Sequence, residues 1–296
     1  AAAPAAFLDC AAGKYAITTG NDASSDCVDC GAGKYSSSAG ASSPAECQDC
    51  VAGKYVTGTG SAASSDCVDC EAGTYSTVPG ATASAICQDC AAGKYLATTG
   101  NDAESDCVQC APGKYSPAVR ATASDTCQNC VAGKYVETAG NDEERDCVEC
   151  AQGKFSTAVG AVNAATCVNC AAGKYLATAG NDAASDCVPC VAGTFSTAEG
   201  ATEPGICQLC VAGKYSTTEG SSDAADCVDC AAGKYCTTLG AATLNTCEDC
   251  ATGKYVASTG NAASSDCVDC GAGKYSTVQG AAAPAACQDC AAGKYA

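Results

Sequence analysis

The residues whose type and spacing could do chemistry are cysteines, 30 of them in a chain of 296. Twenty-eight form C-x2-C pairs at 27/30, 47/50, 67/70 and onward every 20 residues to 287/290, with Cys10 and Cys236 outside the pairs. The resulting spacing, C-x2-C-x16-C-x2-C, admits two chemistries. In the first, neighbouring pairs combine into seven tetrahedral four-thiolate zinc sites. In the second, the last Cys of one pair closes onto the first Cys of the next. That joins Cys10 to Cys27, Cys30 to Cys47, Cys50 to Cys67, Cys70 to Cys87, Cys90 to Cys107, Cys110 to Cys127 and Cys130 to Cys147. It likewise joins Cys150 to Cys167, Cys170 to Cys187, Cys190 to Cys207, Cys210 to Cys227, Cys230 to Cys247, Cys250 to Cys267 and Cys270 to Cys287. Phe7 favours the second chemistry, because it stands at the first position of a C-x2-C whose second position is Cys10. A zinc site there lacks a ligand, whereas a bridge from Cys10 closes forward and needs nothing at position 7. Cys236 and Cys290 are then unpaired, and the partner of Cys290 is expected beyond the last residue. Zinc ribbons remain the alternative, and redox-active C-x2-C chemistry ranks lower because it calls for a βαβ context.

The elements that must position these sulfurs repeat with a period of 20 residues and no insertion. Each pair is followed by an Ala-Gly-Lys-Tyr motif or a close variant, from Gly13-Lys14-Tyr15 to Gly293-Lys294-Tyr295, and all 13 Lys and all 13 Tyr sit in it. A second Gly recurs at 20, 40, 60 and onward, with Arg120 the one exception, so two tight turns per unit are expected. Short β-strand pieces are expected around Lys-Tyr, and no long helix, since Gly and Cys interrupt every stretch. The fold class expected is a linear tandem-repeat rod of small disulfide-rich, β or irregular modules, solenoid-like, with little regular secondary structure. Residues 1–9 read as a partial entry repeat, 10–289 as fourteen 20-residue units paired into 40-residue double units, and 290–296 as the start of a further repeat. Residues 281–296 match 1–16 except for Cys287 and Gln288 in place of Phe7 and Leu8, and the chain has no Met, so a segment of a longer chain is expected.

The double unit shows in the residue before the first Cys of each pair. It is Asp26, Asp66, Asp106, Asp146, Asp186, Asp226 and Asp266 in odd units, but Glu46, Ile86, Thr126, Thr166, Ile206, Thr246 and Ala286 in even ones. If each unit turns by about half a revolution, one side of a rod is acidic and the other neutral.

Composition narrows the function. Leu, Ile, Val and Phe make up only about 11% of the chain and the net charge is −18, a balance that leaves a chain disordered unless cross-links replace a core. There is no His to act as general base or imidazole ligand, and nothing points to an enzyme or a cofactor. Only 15 cations face 33 carboxylates, which argues against nucleic acid and anionic membrane surfaces as partners. No apolar run approaches the ~18 residues that span a bilayer.

The unit C-x-x-G-[KT]-[YF]-x(n)-C-x2-C resembles the ephrin-receptor-like cysteine-rich repeat and the single-disulfide module of tumour-necrosis-factor-receptor ectodomains, over nearly the whole chain. The resemblance implies the same pairing of Cys10 with Cys27 and of each later equivalent. The receptors' interleaved two-disulfide module is missing here and the repeat is far more regular. In that regularity the array resembles those of large surface or secreted proteins of protists and algae.

A bridge closing an 18-residue loop is worth about 3 kcal/mol in chain entropy, less than the cost of ordering a unit, so packing between neighbours must supply the rest. Tyr15, Tyr35, Tyr55, Tyr75, Tyr95 and their equivalents are the large side chains available, and each ring is expected to pack on an adjacent disulfide. Phe155 and Phe195 fit that role, since the hydroxyl is dispensable there. Lys14 and its equivalents are expected to make ion pairs or cation–π contacts with neighbouring units. Asp22, Asp26 and Asp29 gather oxygen ligands that would suit Ca2+, but without a recognised loop spacing they read as turn caps, and no metal is expected.

Hydroxyls crowd the loop after Tyr, at Thr18, Thr19, Ser37, Ser38, Thr57, Thr98 and Thr99. No N-x-[ST] acceptor exists, so O-glycans on these loops are one expectation and bare polar loops the other. Cys236 reads as a free thiol or an interchain bridge. The function expected is structural: an extracellular, secreted or surface-bound, disulfide-stapled rod or fibre segment of an appendage, stalk or matrix, with further copies of the same repeats as its partner. The alternative is a receptor-like ligand-binding ectodomain, and the third reading a zinc-binding array.

Overall fold

The computed structural model describes residues 8–19 and 23–294; Phe7, Gly20, Asp22 and Tyr295 of the sequence argument lie outside them, as do residues 1–6 of the entry segment. Contacts divide the chain into two compact units, one comprising Ala1–Cys130, Val136–Val148 and Gly160–Asn163, the other Val131–Tyr135, Glu149–Val159 and Ala164–Ala296. Each is built from the same 20-residue element.

In the first unit the element begins at Cys10. Lys14 N–H donates to the Ala11 carbonyl at 3.2 Å, closing a turn whose third residue, Gly13, has φ 84°. A type II turn demands positive φ at that position, which only glycine supplies without cost. The chain leaves the turn as a two-residue strand, Lys14–Tyr15, crosses an exposed loop, makes one 3₁₀ turn at Ser24–Asp26 and returns as Val28–Asp29. The two strands pair antiparallel with Lys14 opposite Asp29 and Tyr15 opposite Val28. Fourteen such two-stranded sheets occur among the described residues. Among those residues, helix is confined to single 3₁₀ turns.

Each loop is closed by its disulfide, Cys10–Cys27 to Cys270–Cys287, with Cα atoms 5.6–5.8 Å apart, within the ordinary range for a bridge. The two sulfurs of one C-x2-C pair go to different partners, Cys27 back to Cys10 and Cys30 forward to Cys47. A zinc ribbon needs both on one ion, so the metal alternative does not match this arrangement.

Successive loops are tied by main-chain hydrogen bonds. Gly13 N–H donates to the Ser36 carbonyl (2.8 Å), Ala16 N–H to the Ala41 carbonyl (3.0 Å) and Gly40 N–H to the Cys10 carbonyl (2.8 Å). The three bonds recur in the second unit, where Gly213 donates to Cys236, Ser216 to Ala241 and Gly240 to Cys210. Tyr15 also bridges Ala41 in parallel, and Tyr175 bridges Ala201. A strand bridged in this way is paired on both edges, so its sheet presents no open edge there.

Contact extends one loop further. A Cβ on Gly33 would collide with the Gly80 carbonyl, and one on Gly173 with the Gly220 carbonyl. In each of these places loop n touches loop n+2. The close approach explains the glycines independently of their positive φ, 81° at Gly33 and 68° at Gly80.

Candidate functional site

Among the described residues the reactive groups are gathered in the staple and its surroundings. The sulfurs at the head of each loop are sealed: Cys30, Cys50, Cys70 and their equivalents through Cys250 are fully or almost fully buried. Around them sits a small core. Cys50, Cys67 and Val56 cluster with Tyr35 packed against them, Cys90, Cys107 and Leu96 with Tyr75, and Cys170, Cys187 and Leu176 with Phe155. The ring packs on the disulfide of the following loop, not on that of its own. Tyr75 is 9% exposed, whereas Tyr15, Tyr55 and Tyr95 are half-buried. Tyr55 lines a groove beside Cys87, as Tyr35 does beside Cys67.

The residue after the aromatic completes this core, a role the sequence reading gave to no residue. Val56, Leu96, Val136, Leu176 and Val256 are buried there in odd loops, and Ser36, Ser76, Ser116, Ser156 and Ser196 in even ones. The signal was present in the alternation of Ser with aliphatic residues at one register position. Cys236 occupies the same position, 0% exposed, in a cluster with Cys230, Cys247 and Ala241. Its burial leaves an interchain bridge no access while the loop is folded. Its Sγ points toward the Thr238 carbonyl at 3.7 Å. Cys290 is also unpaired and partly exposed.

The lysines do not reach to neighbouring units as expected; most of their ion pairs close their own hairpin. Lys14 Nζ lies 2.6 Å from Asp29 Oδ1, and the same pair recurs at Lys34–Asp49, Lys214–Asp229, Lys234–Asp249 and Lys274–Asp289. The antiparallel register puts the two side chains opposite one another, which fixes the spacing at 15 residues. The hydrogen bond from Lys14 holds the Asp29 carboxyl below its ordinary value, and Lys214 does the same for Asp229. Both partners are substantially exposed, so each pair contributes little to stability.

The same register accounts for two departures. Opposite Thr194, which replaces the lysine, stands Leu209, so no carboxylate is left without a partner. Opposite Thr74 the carboxylate of Asp89 remains, and Arg120 supplies the missing cation, Nε 3.9 Å from Oδ1.

Of the aspartates weighed as calcium ligands, Asp26 caps a turn and Asp29 pairs with lysine. Asp66 Oδ2 accepts from the N–H groups of Ala62 (2.8 Å) and Ala63 (3.0 Å), and Asp226 from Ser222 and Asp223, satisfying donors at the start of the 3₁₀ turn. Asp26 accepts from Ala23 N–H. In even loops Thr126 and Thr246 instead donate their hydroxyls to the carbonyl three residues back. The two kinds of residue thus meet opposite backbone groups of the turn, Asp its N–H donors and Thr a carbonyl, while Ile86, Ile206 and Ala286 have no side-chain polar group to do either. Among the described residues no group of three or more His, Cys, Asp or Glu is arranged to hold a metal ion.

Even-loop tyrosines anchor their hydroxyls on the residue opposite, Tyr35 on Gln48 (3.0 Å) and Tyr235 on Glu248 (2.8 Å). The Glu248 carboxylate favours the neutral phenol and raises Tyr235 above its ordinary value. The hydroxyls considered for glycans, Thr18, Thr19, Ser37, Ser38, Thr57, Thr98 and Thr99, all lie on exposed loop surface. Thr98 donates to Asn101 Oδ1 (2.9 Å) within its own loop.

Compared with the known protein families, the chain matches none, and no curated protein matches it either.

Proposed function

We propose that this chain is a structural protein, a serially stapled segment of an extracellular appendage, stalk or matrix. The observation that carries the reading is the continuity of cross-linking: every loop is closed by a disulfide, and each is hydrogen-bonded to the next through the main chain. A covalent path for tension therefore runs from staple to staple, leaving out most of the residues of each loop. Disulfides at this density persist in oxidising compartments, which supports a secreted or surface location. No helix among the described residues is long and apolar enough to cross a membrane. The natural partners on this reading are further repeats of the same kind, and the exposed hydroxyls after each aromatic are the place for O-glycans. The Cys-x-x-Gly-Lys-Tyr unit and its pairing support placing the chain among ephrin-receptor-like cysteine-rich repeats, in a mechanical and non-enzymatic role.

The test is immunogold labelling of intact, unpermeabilised cells of the native source with antibody raised against the purified oxidised protein. Label along external fibres or wall material is the expected result. Label confined to the cytoplasm overturns the reading.

A further inference from the structure

The residue after the aromatic packs on the disulfide of its own loop, Val56 on Cys50 and Cys67, Leu96 on Cys90 and Cys107, Val136 on Cys130 and Cys147. In the loop from 230 to 247 that residue is Cys236. Three sulfurs are therefore enclosed in one buried cluster, two bonded to each other and one reduced. A buried thiol is ordinarily inert, because attack on a disulfide requires the thiolate and an approach to one of the bonded sulfurs.

We propose that Cys236 is a resident nucleophile for the Cys230–Cys247 staple, dormant in the packed loop and active once the loop loosens. Its thiolate attacks one sulfur of the staple, Sγ of Cys247 or of Cys230. A new bond to that sulfur forms, the old S–S bond breaks, and the displaced cysteine leaves as a thiolate that takes up a proton from water in place of the one Cys236 gave up. One disulfide and one thiol exist before and after, so neither oxidant nor reductant is consumed. Transfer to Cys247 shortens the closed loop from a sequence separation of 17 to 11 and brings residues 230–236 into the load-bearing path. That loop can lengthen under load without losing its cross-link, a response denied to a loop with Ser or Val at this position.

The inference concerns sulfur connectivity alone and stands or falls independently of where the protein resides. The experiment uses the full oxidised chain carrying Cys290→Ser, which leaves one thiol, and a second variant with Cys236→Ser added. Serine fills the equivalent buried site at Ser36, Ser76 and Ser116, so the control retains the packing of the repeat. Samples are held at pH 8 over a range of temperatures, quenched in acid, alkylated with a maleimide under denaturing conditions and mapped by peptide mass spectrometry. Amide exchange at Gly240 N–H, bonded to the Cys210 carbonyl, reports when the loop opens. In the cold the label is expected on Cys236, and after opening on Cys230 or Cys247, at one label per chain throughout and with no rearrangement in the control. Label that stays on Cys236 after Gly240 exchanges overturns the proposal, as does rearrangement spread evenly over all the staples.

Discussion

Arg120, the one non-glycine residue with positive φ among the described residues (56°), places its guanidinium 2.6 Å from the carboxylate of Glu71, 49 positions earlier in the sequence. The contact joins loop n to loop n+2 where the repeat has a second glycine everywhere else, and it borders the groove lined by Tyr55, Thr74 and Cys87. An L-residue in the left-handed region costs roughly 1–2 kcal/mol, and an exposed ion pair returns about 0–1. Glycine also adds roughly 0.4–1 kcal/mol of unfolded-chain entropy, so Arg120→Gly is expected to leave local stability between about 1 kcal/mol lower and about 1.6 kcal/mol higher. Gly80→Ala differs: φ is 68° and the added Cβ would sit 2.6 Å from Asp49 Oδ1. A loss of about 1–2 kcal/mol is expected there. Amide exchange at position 80, whose N–H is bonded to the Cys50 carbonyl, checks it, and unchanged protection would refute the close approach.

Truncating the aromatic should matter more than removing its hydroxyl. Tyr35→Ala takes the ring from the cluster of Cys50, Val56 and Cys67 and is expected to cost about 2–4 kcal/mol. Tyr35→Phe loses only the exposed hydrogen bond to Gln48 and is expected to cost under about 1 kcal/mol. Exchange protection at Gly33 and Val56, which are joined by a hydrogen bond, measures both.

Force spectroscopy should distinguish oxidised from reduced chains by contour length. With staples intact, each repeat offers 5.7 Å across the Cα atoms of Cys10 and Cys27 plus three residues at ~3.4 Å, about 16 Å in all. After reduction the same 20 residues extend to about 68 Å. An oxidised chain that lengthens by the larger figure would mean the staples do not bear the load.

Acid should weaken the hairpins through their lysine-paired aspartates. Because Asp29 and Asp229 titrate below the ordinary 3.8 in the folded chain, their ionised forms stabilise it at pH above that value. The contribution fades as pH falls through the depressed folded values. Tyr235 behaves oppositely: its raised value favours the neutral phenol, so its contribution is complete below pH 10 and declines as pH rises beyond. Carboxyl carbon shifts followed by NMR should show the Asp29 midpoint moving up in Lys14→Gln; an unmoved midpoint would remove the pair as its cause.

The sequence by itself determined the repeat, because a 20-residue period of Cys, Gly, Lys and Tyr without slippage leaves one register to choose. It also determined which positions must turn, since Gly13 and Gly40 adopt a φ that other residues resist, and that sulfur must stand in for an aliphatic core. Tertiary structure decided which side chains meet. The pairing of Lys14 with Asp29 needed the hairpin register, and the packing of Tyr35 on the next loop's disulfide needed the main-chain ladder between loops. The fit of Gly33 against Gly80 needed the stacking of loop n on loop n+2. Local pattern reports the backbone preferences of neighbouring residues, whereas these contacts join residues 15 to 47 positions apart, through space that exists only once the hairpins have formed and the loops have stacked.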